Sequence, residues 1–410
     1  MVPNGWKLST IEEIAKVSSG GTPSRKNDTY WNGNIPWVTT AEVQFKVIKD
    51  TSEKITEEGL ANSSAKLFPV DTILMAMYGQ GKTRGQVAKL GIEASTNQAC
   101  AAIVLNPDFE VDYYYQFLVS QYENIREMAN SGGQENLSGG IVKSIQVPVP
   151  PLPEQKKIAQ ILSTWDEAIT TTEQLLANSQ KQKKALMQQL LTGKKRLLDN
   201  NGVKFEGEWR EVSLSAICEI NPKKSPCPED GKVSFVAMES VSEDAKLISS
   251  VICDYDDVSK GFTSFSDSDV LVAKITPCFE NGKGAYIEGM QNGIGFGSTE
   301  FHALRAGAKS DSKYLYYITN TSEFRVRGEA NMQGSAGQKR VTTEYLKSLK
   351  VTVPTDVVEQ QKIAAVLSYA DQEISALQQK LDALKQEKKA LMQQLLTGKR
   401  RVNTAEEEIA

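Results

Sequence analysis

The sequence predicts an α+β fold in which one plan is used twice. A variable globular region is followed by a long α-helix, and the two helices pair as an antiparallel coiled coil with pseudo-twofold symmetry. Three observations carry this expectation. "EQKKIAQILSTWDEAI" from Glu154 returns as "EQQKIAAVLSYADQEI" from Glu359, and "KKALMQQLLTGK" at 183–194 recurs letter for letter at 388–399, at a single offset of 205 residues. Both copies place apolar residues at alternating steps of four and three, the spacing of a helical seam. The regions ahead of them hold short β-rich runs broken by Gly, Pro, Asn and Ser clusters.

The first variable region covers 1–150. "TILMAMY" and "CAAIVL" read as strands, and "VDYYYQFLVSQYENIREM" reads as helix. In the first helical region, 151–194, Pro153 sits just before the helix, whose seam runs through Ile158, Leu162, Trp165, Ile169, Leu176, Leu186 and Leu190, weakened by Thr172, Ser179 and Lys183. A helix from 154 to 191 would be roughly 57 Å long. Gly193 suits a left-handed cap, and Lys194, Lys195 and Arg196 lie where the helix dipole favours cations.

A linker at 195–208 leads to the second variable region, 209–355. Trp209, Ile217 and Ser298-Thr299 there answer Trp6, Ile14 and Ser95-Thr96, now at an offset of 203. Strands are expected in "KVSFVAM" and "DVLVAKI", and helix in "SKYLYYITNTSEFRVR". The second helical region, 356–401, has its seam at Ile363, Leu367, Ala370, Ile374, Leu377, Leu381, Leu384, Leu391 and Leu395, interrupted by Lys388. It closes on Gly398, Lys399, Arg400 and Arg401 before a solvated tail at 402–410. Two copies that differ mainly in their first parts suggest one mechanical role and two different ligands.

Composition narrows the chemistry. A hydrophobic content of 40% and a charged content of 24% are those of an ordinary globular protein. No apolar run approaches the roughly 18–20 residues that span a bilayer. The opening "MVPNGWKLST" lacks the basic start and apolar centre of a signal peptide, so a cytoplasmic protein without membrane attachment is expected. Five cysteines, never spaced C-x-x-C, read as free thiols. With His302 the only histidine, neither a zinc site nor a histidine-based triad is expected. The net charge of −4 requires any nucleic-acid binding to use locally concentrated cations or charge from a partner.

"LMAMYGQGKTRGQVA" at 74–88 resembles a phosphate-binding loop. Ala76 stands where its first glycine belongs, and "QVAKL" between Gly85 and Gly91 is too short for the helix that must follow. The second copy has Gly282-Lys283-Gly284 in place of Gly81-Lys82-Thr83. A glycine-hinged cationic hairpin tip in both halves is the reading that survives. No Asn/Asp-Pro-Pro-Tyr/Phe motif is present, so the chain is not expected to methylate adenine itself.

Glycine-rich loops that carry Arg, Lys, Gln and Asn fit DNA better, because these side chains read base edges and glycine lets backbone approach phosphate. The candidates are Arg25, Lys26, Gln80, Lys82, Arg84, Gln134 and Asn136 in the first half. In the second they are Lys274, Asn281, Lys283, Arg325, Arg327, Gln338, Lys339 and Arg340.

"GGTPSRKNDTYWNGNIPWVTTAEV", "STNQAC", "LPEQKKIAQIL", "ITPCFENGKGA", "GFGSTEFHALR" and "KKALMQQLLTGKRRV" together resemble the specificity subunit of type I restriction-modification systems, over essentially the full length. The resemblance implies target-recognition domains at 1–150 and 209–355, each reading one half of a split double-stranded DNA sequence, with the paired helices as a ruler for the unread gap. It also implies partners. Two modification subunits would bring S-adenosylmethionine and methylate adenine, and restriction subunits would bring ATP-driven translocation and cleavage. No cofactor is expected on this chain. A phosphate-loop NTPase and a homodimeric coiled-coil adaptor remain the alternatives.

Overall fold

The computed structural model describes residues 2–79, 82–130, 136–335 and 337–404, with the side chains of 129 and 130 outside the description. The chain forms two compact units, Met1–Glu173 with Gln379–Ala410, and Gln174–Gln378.

In the first unit a five-stranded sheet has the order Ala15–Ser19, Cys100–Leu105, Ile73–Ala76, Val87–Leu90, Val47–Ile48. Ile73–Ala76 is buried along its whole length, as its unbroken apolar run requires of a strand covered on both faces. A three-stranded sheet joins Glu53–Ile55, Trp31–Val38 and Ser95–Thr96. Helix Val111–Ser120 buries Tyr113, Tyr114 and Leu118 in the same core as Ile73 and Ile103. The ends of this region meet in an antiparallel ribbon of Lys7–Thr10 and Gln146–Val149, immediately ahead of the first long helix, Leu152–Leu190.

In the second unit one four-stranded sheet has the order Cys218–Ile220, Phe301–Ala306, Val270–Ala273, Gly284–Tyr286. A second sheet has the order Val251–Asp254, Lys232–Val236, Ile294–Gly297, Thr263–Ser266. Helix Ser312–Thr319 buries Tyr314 and Leu315. The ribbon of Trp209–Ser213 and Lys350–Pro354 again closes the region ahead of a long helix, Val357–Leu395.

Each unit takes the beginning of one long helix and the end of the other. In the first, Ile158, Ala159 and Leu162 share a core with Met392, Leu395 and Leu396. Ion pairs fix the direction: Arg401 binds Glu154, Lys388 binds Asp166 at 2.6 Å, and Lys385 binds Glu173 at 2.7 Å. One number rises as the other falls, so the pairing is antiparallel. In the second unit Ile363, Ala364 and Leu367 meet Leu190 and Leu191. There Arg196 binds Glu359 and Lys183 binds Asp371, both at 2.5 Å. Adding or subtracting 205 converts Arg401–Glu154 into Arg196–Glu359, and Lys388–Asp166 into Lys183–Asp371.

Along the seam Ile158, Leu162, Leu176, Leu190, Ile363, Leu367, Leu381 and Leu395 are buried, while Trp165, Ile169, Leu186, Ile374, Leu377, Leu384 and Leu391 are half-buried. The polar positions that interrupt the apolar series belong to it. Thr172 and Ser179 are buried, with the Thr172 hydroxyl donating to the Ala168 carbonyl at 2.7 Å, and Lys183 and Lys388 form the ion pairs above. The first helix begins at Leu152, two residues before the expected start. Pro153 falls in its first turn, where no amide donor is needed. Gly193 and Gly398 are left-handed (φ +70° and +69°), and the Lys195 and Arg400 amides donate back to Gln189 and Gln394 at 3.0 and 3.1 Å. Among the described residues no helix is long and apolar enough to cross a membrane.

Candidate nucleic-acid interface

In the first unit the glycine loop, the turn after Ser95-Thr96 and the hairpin tip are joined by backbone hydrogen bonds at one end of the sheets. The Gly20 amide donates to Cys100 at 3.4 Å and the Gly21 amide to Thr96 at 2.8 Å. A Cβ at Gly20 would collide with the Thr96 carbonyl, so the loop needs glycine to lie this close. The Met77 amide donates to Ala99 at 2.8 Å, and the Leu137 amide donates to Met77 at 2.9 Å. The loops carrying Arg25 and Lys26, Lys82 and Arg84, and Asn136 are thereby brought together. Gln80, Gly81 and Gln134 lie outside the described residues.

These side chains differ in their freedom. Arg25 lies over the Trp31 ring, 3.7 Å from its centroid, and forms a bidentate pair with Glu53 at 2.5 and 2.8 Å. That guanidinium holds the Glu53 carboxyl below the usual carboxylate range. Trp31 and Trp37 donate their indole N–H groups to the Ser24 and Gly21 carbonyls at 3.1 and 3.0 Å, which anchors the loop at two points. Lys26, Lys82 and Asn136 are exposed, and Arg84 is half-buried. The Lys82 carbonyl accepts from the Tyr122 hydroxyl, tying the hairpin tip to helix Tyr122–Asn130.

After the tip the chain continues as strand Val87–Leu90, paired antiparallel with Ile73–Ala76. No helix N-terminus is presented to a phosphate there, which removes the second half of a nucleotide loop.

In the second unit the corresponding connection runs from Lys274 to Lys283, between strands Val270–Ala273 and Gly284–Tyr286. The Lys274 amide donates to Glu300, the Val341 amide to Lys274, and the Thr276 amide to Lys339, at 2.8, 2.9 and 3.0 Å. Lys274, Gln338, Lys339 and Arg340 are thus assembled, with Gln338 and Lys339 exposed. Arg340 is bound to Glu300 at 2.8 Å, which lowers the Glu300 carboxyl below its ordinary value. Asn281 donates to Glu243 at 2.8 Å, and Lys283 to the Met238 carbonyl at 3.2 Å.

Arg325 and Arg327 lie on helix Ser322–Ala330. Arg325 donates to the Phe279 and Gly282 carbonyls, both at 3.2 Å, and burial lowers its pKa to about 10. It props the connection from beneath. Arg327 donates to Glu323 at 3.2 Å and to the Lys350 carbonyl at 2.8 Å.

His302 is buried, donates from Nε2 to the Val341 carbonyl at 2.8 Å and accepts at Nδ1 from Asn221 at 3.2 Å. Burial lowers its pKa and keeps it neutral, as a tie between strand and loop. Among the described residues no cluster of three or more His, Cys, Asp or Glu is placed to hold a metal.

Thr22, Gln98 and Glu300 also lie in these assembled loops and are not among the candidates expected from the sequence. Gln98 and Glu300 belong to the two Ser-Thr turns that the repeat aligns, and that alignment was the available signal.

Comparison with known proteins adds to this geometry. The family model described as Type I restriction modification DNA specificity domain matches twice, over residues 3–178 and 206–386. The chain is 38% identical over 172 residues to the specificity subunit of the type I restriction enzyme EcoAI of Escherichia coli, a stretch covering 40% of this chain and 29% of that protein. It therefore spans less than a third of that relative, and similarly 27% of the EcoEI subunit. It is 23% identical to the MjaVIII specificity subunit of Methanocaldococcus jannaschii, covering 98% of this chain and 94% of the relative. The solved S subunit of a type I restriction-modification system from M. genitalium superposes with a TM-score of 0.59 at 14% identity, covering 97% of this chain and 98% of that one. At that identity the likeness speaks for the fold alone.

Proposed function

We propose a function that starts from membership: this chain belongs to the type I restriction modification DNA specificity family, with the family domain present twice. In this reading each unit reads one half of a bipartite double-stranded DNA target through the loops gathered at one end of its sheets. The observation that carries it is the contrast within each repeat. The helix clamps match under one offset, while the assembled loops present different side chains in the two units.

The chain itself is non-catalytic in this proposal. Two modification subunits supply S-adenosylmethionine and adenine methylation, and restriction subunits supply ATP-driven cleavage. The chain's exposed cations, Lys26 and Lys82 in one unit and Lys339 in the other, contact phosphate, and partner subunits add charge that a net −4 chain lacks.

The test is co-expression with the modification subunit, followed by mapping of methylated adenines across the genome. A bipartite motif with a fixed gap is expected. Exchange of residues 1–150 should change one half-site only, and insertion of helical turns should change the gap only. Methylation indifferent to this chain would sink the proposal.

A further inference from the structure

We propose that Gln98 is a base-reading side chain of the first unit and that Thr22 is its positioning residue, the pair selecting an A·T base pair in one half-site. This rests on the DNA-reading role above and assigns one recognition contact within it.

Gln98 is exposed, yet its surroundings are fixed. The Thr22 hydroxyl donates to Gln98 Oε1. Thr22 follows Gly21, whose amide is bound to Thr96 and whose carbonyl accepts the Trp37 indole at 3.0 Å. Beneath the turn, Asn97 accepts from the Ala99 amide at 3.0 Å and donates to Thr40 at 2.9 Å. An exposed glutamine ordinarily loses rotamer freedom when it binds. Here the backbone on both sides is tied down and the carbonyl end of the amide is already chosen.

That choice has a chemical consequence. Carbonyl oxygen has two lone pairs, so Oε1 accepts from Thr22 and keeps one for a ligand. Nε2 has no hydrogen-bond partner among the described residues and offers donors beside it. One acceptor next to one donor matches the N6 and N7 edge of adenine in the major groove. Lys26 and Lys82 lie exposed on the two loops bonded to this turn, where cations neutralise phosphate and hold register. The second unit cannot repeat the contact, because Phe301 occupies the aligned position and is buried.

The experiment uses the full chain in complex with its modification subunit, with host genomic DNA as the probe and the methylated motif as readout. For Gln98→Ala, preference at one A·T pair of one half-site should fall roughly five- to a hundred-fold, leaving the other half and the gap unchanged. Gln98→Glu, which keeps the size but cannot donate to N7, should lose the same preference. Thr22→Val should weaken it by less. An unchanged motif, or methylation lowered uniformly with every position intact, would overturn the assignment, as would relaxation at a G·C pair or in both halves. A wild-type complex without a bipartite motif would instead defeat the DNA-reading role itself.

Discussion

After Ser95-Thr96 the first unit exposes Gln98 on a braced turn; after Ser298-Thr299 the second places Glu300 in an ion pair with Arg340 and buries Phe301. At the helix clamps the two units use corresponding residues. Arg401 bound to Glu154 lies 5.9 Å from the Trp6 ring centroid, and Arg196 bound to Glu359 lies 5.9 Å from that of Trp209. A shared frame tolerates unlike loops because the loops are fixed by local bonds to strand ends, while the clamps are fixed by the helix pair.

The largest test strikes the clamps. Glu359→Ala should cost the second unit about 3–5 kcal/mol, because the glutamate side chain is 0% exposed and Arg196 would be left partly buried without its partner. Glu154→Ala should cost the first unit less, about 2 kcal/mol, since the Arg401 side chain is 41% exposed and water can replace the carboxylate. Hydrogen exchange of helices Ser312–Thr319 and Val111–Ser120 would report the units separately; equal losses would show that burial does not decide the cost. A matched pair comes next. Leu162→Ala and Leu367→Ala, related by the offset and both fully buried, should each cost about 2–5 kcal/mol and agree with one another. Clear disagreement in the same assay would break the equivalence of the frames.

The units should also part company with pH. His302, the only histidine, is held neutral in the second unit, its folded pKa below the ordinary 6.5. Stability from this group is complete above 6.5 and is lost as pH falls from there towards the folded value, because the unfolded chain then binds the extra proton. The lowered carboxyls, Glu53 in the first unit and Glu300 in the second, act only below about 4.5. Between pH 6.5 and 5, exchange protection should therefore fall in the second unit while the first holds. Equal behaviour, or a decline that persists in His302→Gln, would refute this. The smallest effect is expected at the loops: Lys82→Ala should weaken DNA binding of the assembled complex evenly across sequences and reduce its salt slope by about one. A change confined to one base position would make Lys82 a reader rather than a phosphate contact.

The helical frame was legible because a seam repeats every few residues and the repeat states it twice. What it cost to see Lys183 and Lys388 as more than interruptions was knowledge of Asp371 and Asp166, which lie off the seam of the facing helix and can be matched only once register is known. The hairpin reading of "GKTRG" was legible from the shortness of "QVAKL", and strand Val87–Leu90 occupies that run. The loop side chains were legible as types and not as roles. Arg325 and Lys26 look equally suited to DNA in the sequence, but Arg325 is spent on two carbonyls beneath a loop and Lys26 is exposed. Gln98 was obscured for the opposite reason, since its position depends on a glycine loop that precedes it by some 75 residues.

The reciprocal exchange of helix ends also sets an order in time. Every residue of the second unit is synthesised before Gln379, the first residue of the segment that completes the first unit. At about 5–20 residues per second, Glu173 waits on the order of ten to fifty seconds for Arg401. Until then Ile158 and Leu162 lack Met392, Leu395 and Leu396, and Glu154 lacks Arg401. The unit that begins first on the ribosome is the unit that is finished last.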